Sequence, residues 1–223
     1  MDKKDLIILK NALPSRPDIM GREKYFNAAV LIPLIFFKDE YYFLFEKRAK
    51  RIRQGGEISF PGGKFEPKED SSCLEAALRE TEEEIGISKD KIEIIGRLDT
   101  FVSPRGIIIE SFVGELHVNS LDDFQIDKNE VAKIFTLPVT WFENNPPAQY
   151  QVVVEMKPYY INENGEKIET LPIDKLGLPP IYNNCWPSVC YDVYVFKHHI
   201  YTIWGITARF IVELLSTIRE DYI

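Results

Sequence analysis

A mixed α/β (α+β) fold, with a sheet held between helices, is predicted by three features of this sequence. Apolar and β-branched runs of strand length dominate the chain, amphipathic helices interrupt them irregularly, and no repeat or low-complexity tract divides it. The 223 residues include 14 Phe, 11 Tyr and 3 Trp, enough apolar bulk for a core that needs neither disulfides nor a structural metal. No linker-like tract separates two domains, so a single domain over residues 23–223 is expected, preceded by an N-terminal arm over residues 1–22.

Residues 1–12 suit a short helix that the Pro14–Pro17 stretch breaks. Asn27–Phe37 and Tyr41–Glu46 are rich in β-branched and aromatic residues and flank Lys38-Asp39-Glu40, which predicts a hairpin. Gly55-Gly56 and Pro61-Gly62-Gly63 bracket a short Glu57–Phe60 strand, and the polar run from Pro67 to Ser72 leads into a helix. In that helix, Cys73 to Ile85, the residues Leu74, Ala77, Leu78, Thr81 and Ile85 form a buried stripe, and Gly86 stands where a left-handed residue ends a helix. Strands are expected over Ile92–Leu98, Ile107–Val118 and Glu130–Thr136, then a helical turn over Pro138–Glu143 and a hairpin over Tyr150–Glu166. A strand at Tyr191–Phe196 and a closing helix at Trp204–Arg219 complete the chain, with Ile206, Phe210, Ile211, Leu214 and Leu215 facing inward and Trp204 read as core.

Charge and cysteine content narrow the function classes. With 27 Lys+Arg against 35 Asp+Glu, a formal charge of -8, the chain is not built to neutralise a nucleic-acid backbone. Cys73, Cys185 and Cys190 lack both even number and CxxC spacing, which points to a reducing compartment. The apolar run Leu6–Leu9 is too short for a signal or membrane segment, and Asp221-Tyr222-Ile223 is no retention signal, so a soluble cytoplasmic protein is expected, with a homodimer left open.

The richest stretch is Arg79-Glu80-Thr81-Glu82-Glu83-Glu84-Ile85-Gly86. On a helix Glu80, Glu83 and Glu84 share one face, where like charges repel by roughly 0.2–0.5 kcal/mol per pair. A solvated acidic face is one reading. The other is a hard divalent cation, since Mg²⁺ takes carboxylate oxygens together with substrate phosphates.

Gly62-Gly63, Glu69, Arg79-Glu80 and Glu83-Glu84-Ile85-Gly86-Ile87 together resemble the Nudix box of the Nudix hydrolases. The resemblance implies a Nudix-type α/β/α sandwich, Mg²⁺ or Mn²⁺ bound by Glu80, Glu83 and Glu84 with the backbone at Gly63, Arg79 orienting the carboxylates, and Glu83 as first candidate for the base. Gly62 and Gly63 would form a tight turn that brings backbone close to the metal. The nine residues from Asp70 to Leu78 are two more than the box usually has, so its middle acidic position falls on Glu69, or on Ser71 if counted back from Arg79.

Leu44-Phe45-Glu46-Lys47-Arg48-Ala49, Arg53, Gly56 and Phe60-Pro61-Gly62-Gly63 are similar to the signature of the coenzyme A pyrophosphatase branch, and the gap from Arg53 to Gly56 is one residue short. Phe112–Leu116, Asn129-Glu130-Val131 and Ile203–Arg209 also look like that branch. The implied reaction is hydrolysis of coenzyme A or its derivatives to adenosine 3′,5′-bisphosphate and 4′-phosphopantetheine. Arg48 and Arg53, within the basic run Lys47–Arg53, are the expected phosphate contacts. The alternatives are another nucleoside diphosphate derivative, such as ADP-ribose or a dinucleoside polyphosphate, and a non-catalytic nucleotide-binding module of the same fold.

Overall fold

The computed structural model describes residues 2–16, 18–118 and 120–220; Pro17 and Asp221–Ile223, invoked above, lie outside them. The arm carries helix α1 (Lys3–Ala12), capped by the Asp2 carboxylate, with none of its residues buried. Strands β1 (Phe26–Phe37) and β2 (Glu40–Arg48) form the expected antiparallel hairpin, pairing Phe37 with Glu40. Lys38 and Asp39 both take positive φ, 52° and 65°, the twist that a two-residue hairpin turn requires.

Two short strands follow, β3 (Ile58–Ser59) against β2 and β4 (Gly62–Lys64) against β1. The tight turn expected at Gly62-Gly63 is therefore a short strand. Its glycines serve close approach: a Cβ on Gly62, whose φ is 151°, would collide with the Ala29 carbonyl of β1. Helix α2 spans Cys73–Ile85 as expected, Ser72 capping its start and Gly86 ending it at φ 71°. Then come β5 (Ile92–Arg97), β6 (Phe101–Ser103), β7 (Ile107–Leu116) and β8 (Val131–Pro138), followed by α3 (Val139–Asn144). These strands build a mixed sheet in the order β3-β2-β1-β7-β5, in which β1 and β7 run parallel; β4 adds to β1, β6 to β7 and β8 to β2.

The hairpin expected over Tyr150–Glu166 is not formed as such. Strand β9 (Ala148–Val154) pairs instead with β12 (Val189–Lys197), and the local hairpin is β10 (Tyr159–Ile161) with β11 (Lys167–Glu169), closed by an Asn162–Gly165 turn. The long pairing gives all seven residues of β9 a partner on β12 while leaving six of them exposed, a non-local choice that propensity does not encode. Strand β13 (Thr202–Trp204) joins β12 and leads into α4 (Gly205–Glu220). Period-two alternation in β13 turns Ile203 inward and leaves Trp204 47% exposed, which corrects its reading as core.

The sheet is covered on both faces. On one, α2 sets Ala76, Ala77, Leu78 and Ile85 against Ala29, Leu31, Leu44 and Phe112. On the other, Phe43, Phe45, Phe60, Phe135 and Phe142 meet Ala208, Phe210, Ile211 and Leu215 of α4, Phe45 stacking on Phe60 at 5.0 Å. An α/β/α sandwich results. Among the described residues no helix is long and apolar enough to cross a membrane.

Candidate active site

Three elements bring the acidic residues together. Helix α2 lies under β4, so that a Cβ on Gly63 would collide with the Glu80 carboxylate, and the Gly62 amide donates to Glu84 Oε2 at 2.9 Å. Alternation along β2 sends Phe43 and Phe45 to the α4 face and Leu44, Glu46 and Arg48 to the α2 face. Glu46 thereby lies against Glu84, and Arg48 Nη1 reaches both, 3.5 Å from Glu46 and 3.8 Å from Glu84.

The three box glutamates differ in setting. The Glu84 side chain is 3% exposed, Glu80 16% and Glu83 59%. Burial pushes all of the enclosed carboxyls upward: Glu80 despite its contact with Arg79, Glu46 to about 7 and Glu84 to about 9, the charge of Glu46 adding to the effect at Glu84. Two carboxylates enclosed at contact cannot both ionise without a compensating cation, so the pair keeps a proton at neutral pH. Glu46 Oε1 accepts from the Ser59 hydroxyl at 2.8 Å, while Oε2 is buried without a hydrogen-bond partner.

Arg79 organises the outer part. Its Nε and Nη2 donate to the two oxygens of Asp70 at 2.8 and 3.1 Å, Nη1 donates to Glu80 at 2.9 Å and Glu83 at 3.1 Å, and Nη2 also reaches the Lys64 carbonyl. The guanidinium holds the buried Asp70 carboxyl below its usual range, and Arg79 in turn is raised, chiefly by its hydrogen bonds to Asp70. Asp70 also accepts from the Glu66 amide at 2.8 Å, which ties the loop to the helix. The acidic partner of Arg79 is thus neither Glu69 nor Ser71, both of which are exposed. The extra residues bulge through a turn in which the Glu69 and Asp70 amides bond the Glu66 carbonyl, and this delivers Asp70 inward.

Of the expected phosphate contacts, Arg48 is turned into the carboxylate cluster and donates through Nε to the Arg53 carbonyl at 3.4 Å, whereas Arg53 itself is exposed in the following turn. Sequence reasoning missed Asp70, Glu46, Ser59 and Glu130. Glu130 sits in the loop before β8, bonded through its carbonyl to the Ala49 amide, and its charge is felt at both Glu46 and Glu80. The signal for Glu46 was present: a glutamate two residues from Leu44 and two from Arg48 in a strand otherwise apolar at that point.

Among the described residues no three of these side chains converge on one point, and Glu80 is engaged by Arg79. The donor set nevertheless suits a hard divalent cation: enclosed carboxylates, one orphaned buried oxygen, and two arginines, Arg48 and Arg79, facing Glu46, Asp70, Glu80, Glu83 and Glu84. A cavity of about 920 Å³ opens at the other end of α2, lined by Arg22, Asn27, Phe65, Cys73 and Glu110. None of the clustered glutamates lines it, so the chemistry is assigned to the cluster.

A NUDIX domain model matches residues 25–156. The curated protein "Uncharacterized Nudix hydrolase NudL" of Yersinia pestis (strain Pestoides F) is 35% identical over 133 residues, 57% of this chain and 65% of that protein, so the match spans just under two thirds of its length. Among solved structures, a C. elegans Ap4A hydrolase binary complex aligns with TM-score 0.43 and 21% identity over 52% of this chain and 83% of that one. The NUDIX domain of Shewanella oneidensis NrtR, complexed with ADP ribose, aligns with TM-score 0.43 and 16% identity over 66% and 89%.

Proposed function

This chain belongs to the Nudix family, and from that premise we propose that it is a Mg²⁺- or Mn²⁺-dependent hydrolase of the diphosphate bond of coenzyme A or its derivatives, releasing adenosine 3′,5′-bisphosphate and 4′-phosphopantetheine. The observation that carries the reading is the enclosed carboxylate pair Glu80 and Glu84 beneath Gly62-Gly63, with Arg79 anchored on Asp70 beside it. A non-catalytic module has no use for so costly a cluster of like charges.

Glu80 and Glu84, with Glu83 and the backbone at Gly63, would hold the cation. A bound divalent ion neutralises diphosphate oxygens and lowers the pKa of water. Arg79 fixes Glu80 and Glu83 relative to the loop, and Glu80 would share its carboxylate between Arg79 and a bound cation. Glu83, at the open edge of the cluster, is assigned the proton of the attacking water; Glu130, whose charge acts on Glu46 and Glu80, is the next carboxylate to test for that role. The basic run Lys47–Arg53 stands out in an otherwise acidic chain, with Arg48 at the carboxylates themselves, and supports a substrate with an extra phosphate. Residues 23–223 are taken as the hydrolase unit and 1–22 as an arm, in keeping with an α1 that buries nothing.

The test is chromatographic product analysis after incubation with coenzyme A, ADP-ribose and a diadenosine polyphosphate, each with Mg²⁺, Mn²⁺ or chelator. Metal-dependent adenosine 3′,5′-bisphosphate from coenzyme A is the expected result. Cleavage of the other compounds alone would discard the substrate, and cleavage of none would discard the enzyme.

A further inference from the structure

Glu46 lies outside the box, on a different element, and at 0% exposure it is among the most enclosed charged residues of the chain. Burying a carboxylate is costly unless each oxygen has a partner. Ser59 satisfies Oε1, but Oε2 is buried with no hydrogen bond and stands on the α2 side of the sheet, where Glu84 is. Arg48 does not fill the gap: its Nη1 stands 3.5 Å from Glu46 Oε1 and 3.8 Å from Glu84, too far to bond either well, and it must serve both. Arg79 is committed to Asp70, Glu80 and Glu83. The inner half of the cluster therefore has a buried acceptor that no amide, hydroxyl or guanidinium of the fold reaches, and two carboxyls that share the single distant Arg48 charge and the proton between them.

We infer that Glu46 is a further carboxylate of the metal site, its orphaned Oε2 joining Glu84 in holding the divalent ion, with the Ser59 hydroxyl fixing the side chain from behind. This rests on the metal-dependent reading above and adds to it a ligand from strand β2. The contribution gives β2, and not only α2 and β4, a direct hold on the ion. It also gives Ser59 a purpose, since a donor to Oε1 orients Oε2 without consuming it.

The rival reading makes Glu46 purely structural, a neutral acid bonded to its neighbours. Glu46→Gln separates the two, because the amide keeps an acceptor for Ser59 and gains a donor toward Glu84 while losing the anionic oxygen. Mn²⁺ binding by calorimetry is measured on the full wild-type chain, Glu46→Gln and Glu84→Gln, and each is melted in chelator. The expected result is Mn²⁺ affinity at least about tenfold weaker in Glu46→Gln, alongside a metal-free melting temperature equal to or above that of wild type, as two facing carboxyls are relieved. Mn²⁺ affinity within about twofold of wild type, or a metal-free melt well below it, overturns the inference. Wild-type chain that binds no Mn²⁺ while Glu84→Gln behaves identically would bring down the metal-dependent reading itself, a different outcome from the loss of Glu46 alone.

Discussion

Replacing Asp70 by Asn tests the structural register of the box. Asp70 accepts two charge-assisted bonds from Arg79, at 2.8 and 3.1 Å, and one from the Glu66 amide at 2.8 Å, all through a side chain 1% exposed. Asn presents one acceptor and one donor, so a donor must face either the guanidinium or the amide, and the charge is lost. Breaking a buried pair costs about 3–5 kcal/mol. Arg79 is 19% exposed and retains Glu80, Glu83 and the Lys64 carbonyl, which reduces the expected loss to about 2–4 kcal/mol, or a fall of about 5–15 °C in melting temperature for a chain of this size. Glu69→Gln, at the position the motif spacing favours, changes an exposed side chain and should stay within about 0.5 kcal/mol. Denaturant and thermal unfolding of both variants in chelator is the assay, with hydrolysis expected to fall about 10- to 100-fold in Asp70→Asn only. Equal losses in the two variants, or a loss below about 0.5 kcal/mol in Asp70→Asn, would refute the assignment.

Other perturbations follow from the same geometry. The raised carboxyls Glu46 and Glu84 bind protons in the folded state that the unfolded chain gives up, so their contribution is complete below about 4.5 and is lost as pH rises toward about 9. Melting in chelator should accordingly decline across that window, and saturating Mg²⁺ should flatten the decline; a metal-free profile that rises with pH would contradict it. Gly86→Ala would place a Cβ against the Gln125 carbonyl at a residue with φ 71°, and a loss of about 2–4 kcal/mol is expected by denaturant titration. Glu83→Gln should lower hydrolysis by about 100-fold or more with little change in melting temperature, because that side chain is mostly exposed; wild-type rates in this variant would remove Glu83 from the chemistry.

Much of this was legible in the sequence where local physics dominates. Helix α2 has its Ser72 cap, its stripe and its Gly86 stop within one stretch, and the β1–β2 hairpin has its turn in two residues. The clustering of Glu80, Glu83 and Glu84 followed from helical period alone, but their unequal burial did not, since it depends on which of them sits beneath β4 and β2. Asp70 was hidden because residue counting treats the loop as a ruler, whereas the turn on the Glu66 carbonyl shortens it. The β9–β12 pairing joins segments far apart, and nothing near Tyr150 announces a partner at Asp192 or Val193. Glu46 was overlooked for a simpler reason: alternation along β2 gives its face, but only the assembled sheet shows what occupies that face.

The parallel pairing of β1 with β7, Phe26 beside Ile107, has a kinetic corollary. The hairpin closes locally, whereas pairing β1 with β7 requires the chain to loop back, a non-local closure whose entropy is spent before the contact rewards it. Glu84 is anchored through β4 to β1, and Glu46 rides on β2 beside it, so the two carboxyls meet only once β1, β2 and β4 have paired and α2 has docked beneath them. Their repulsion therefore belongs to the native basin rather than to the barrier before it. An ion that relieves it lengthens the lifetime of the folded chain and leaves its rate of formation almost unchanged, which places metal dependence on the unfolding arm of a chevron.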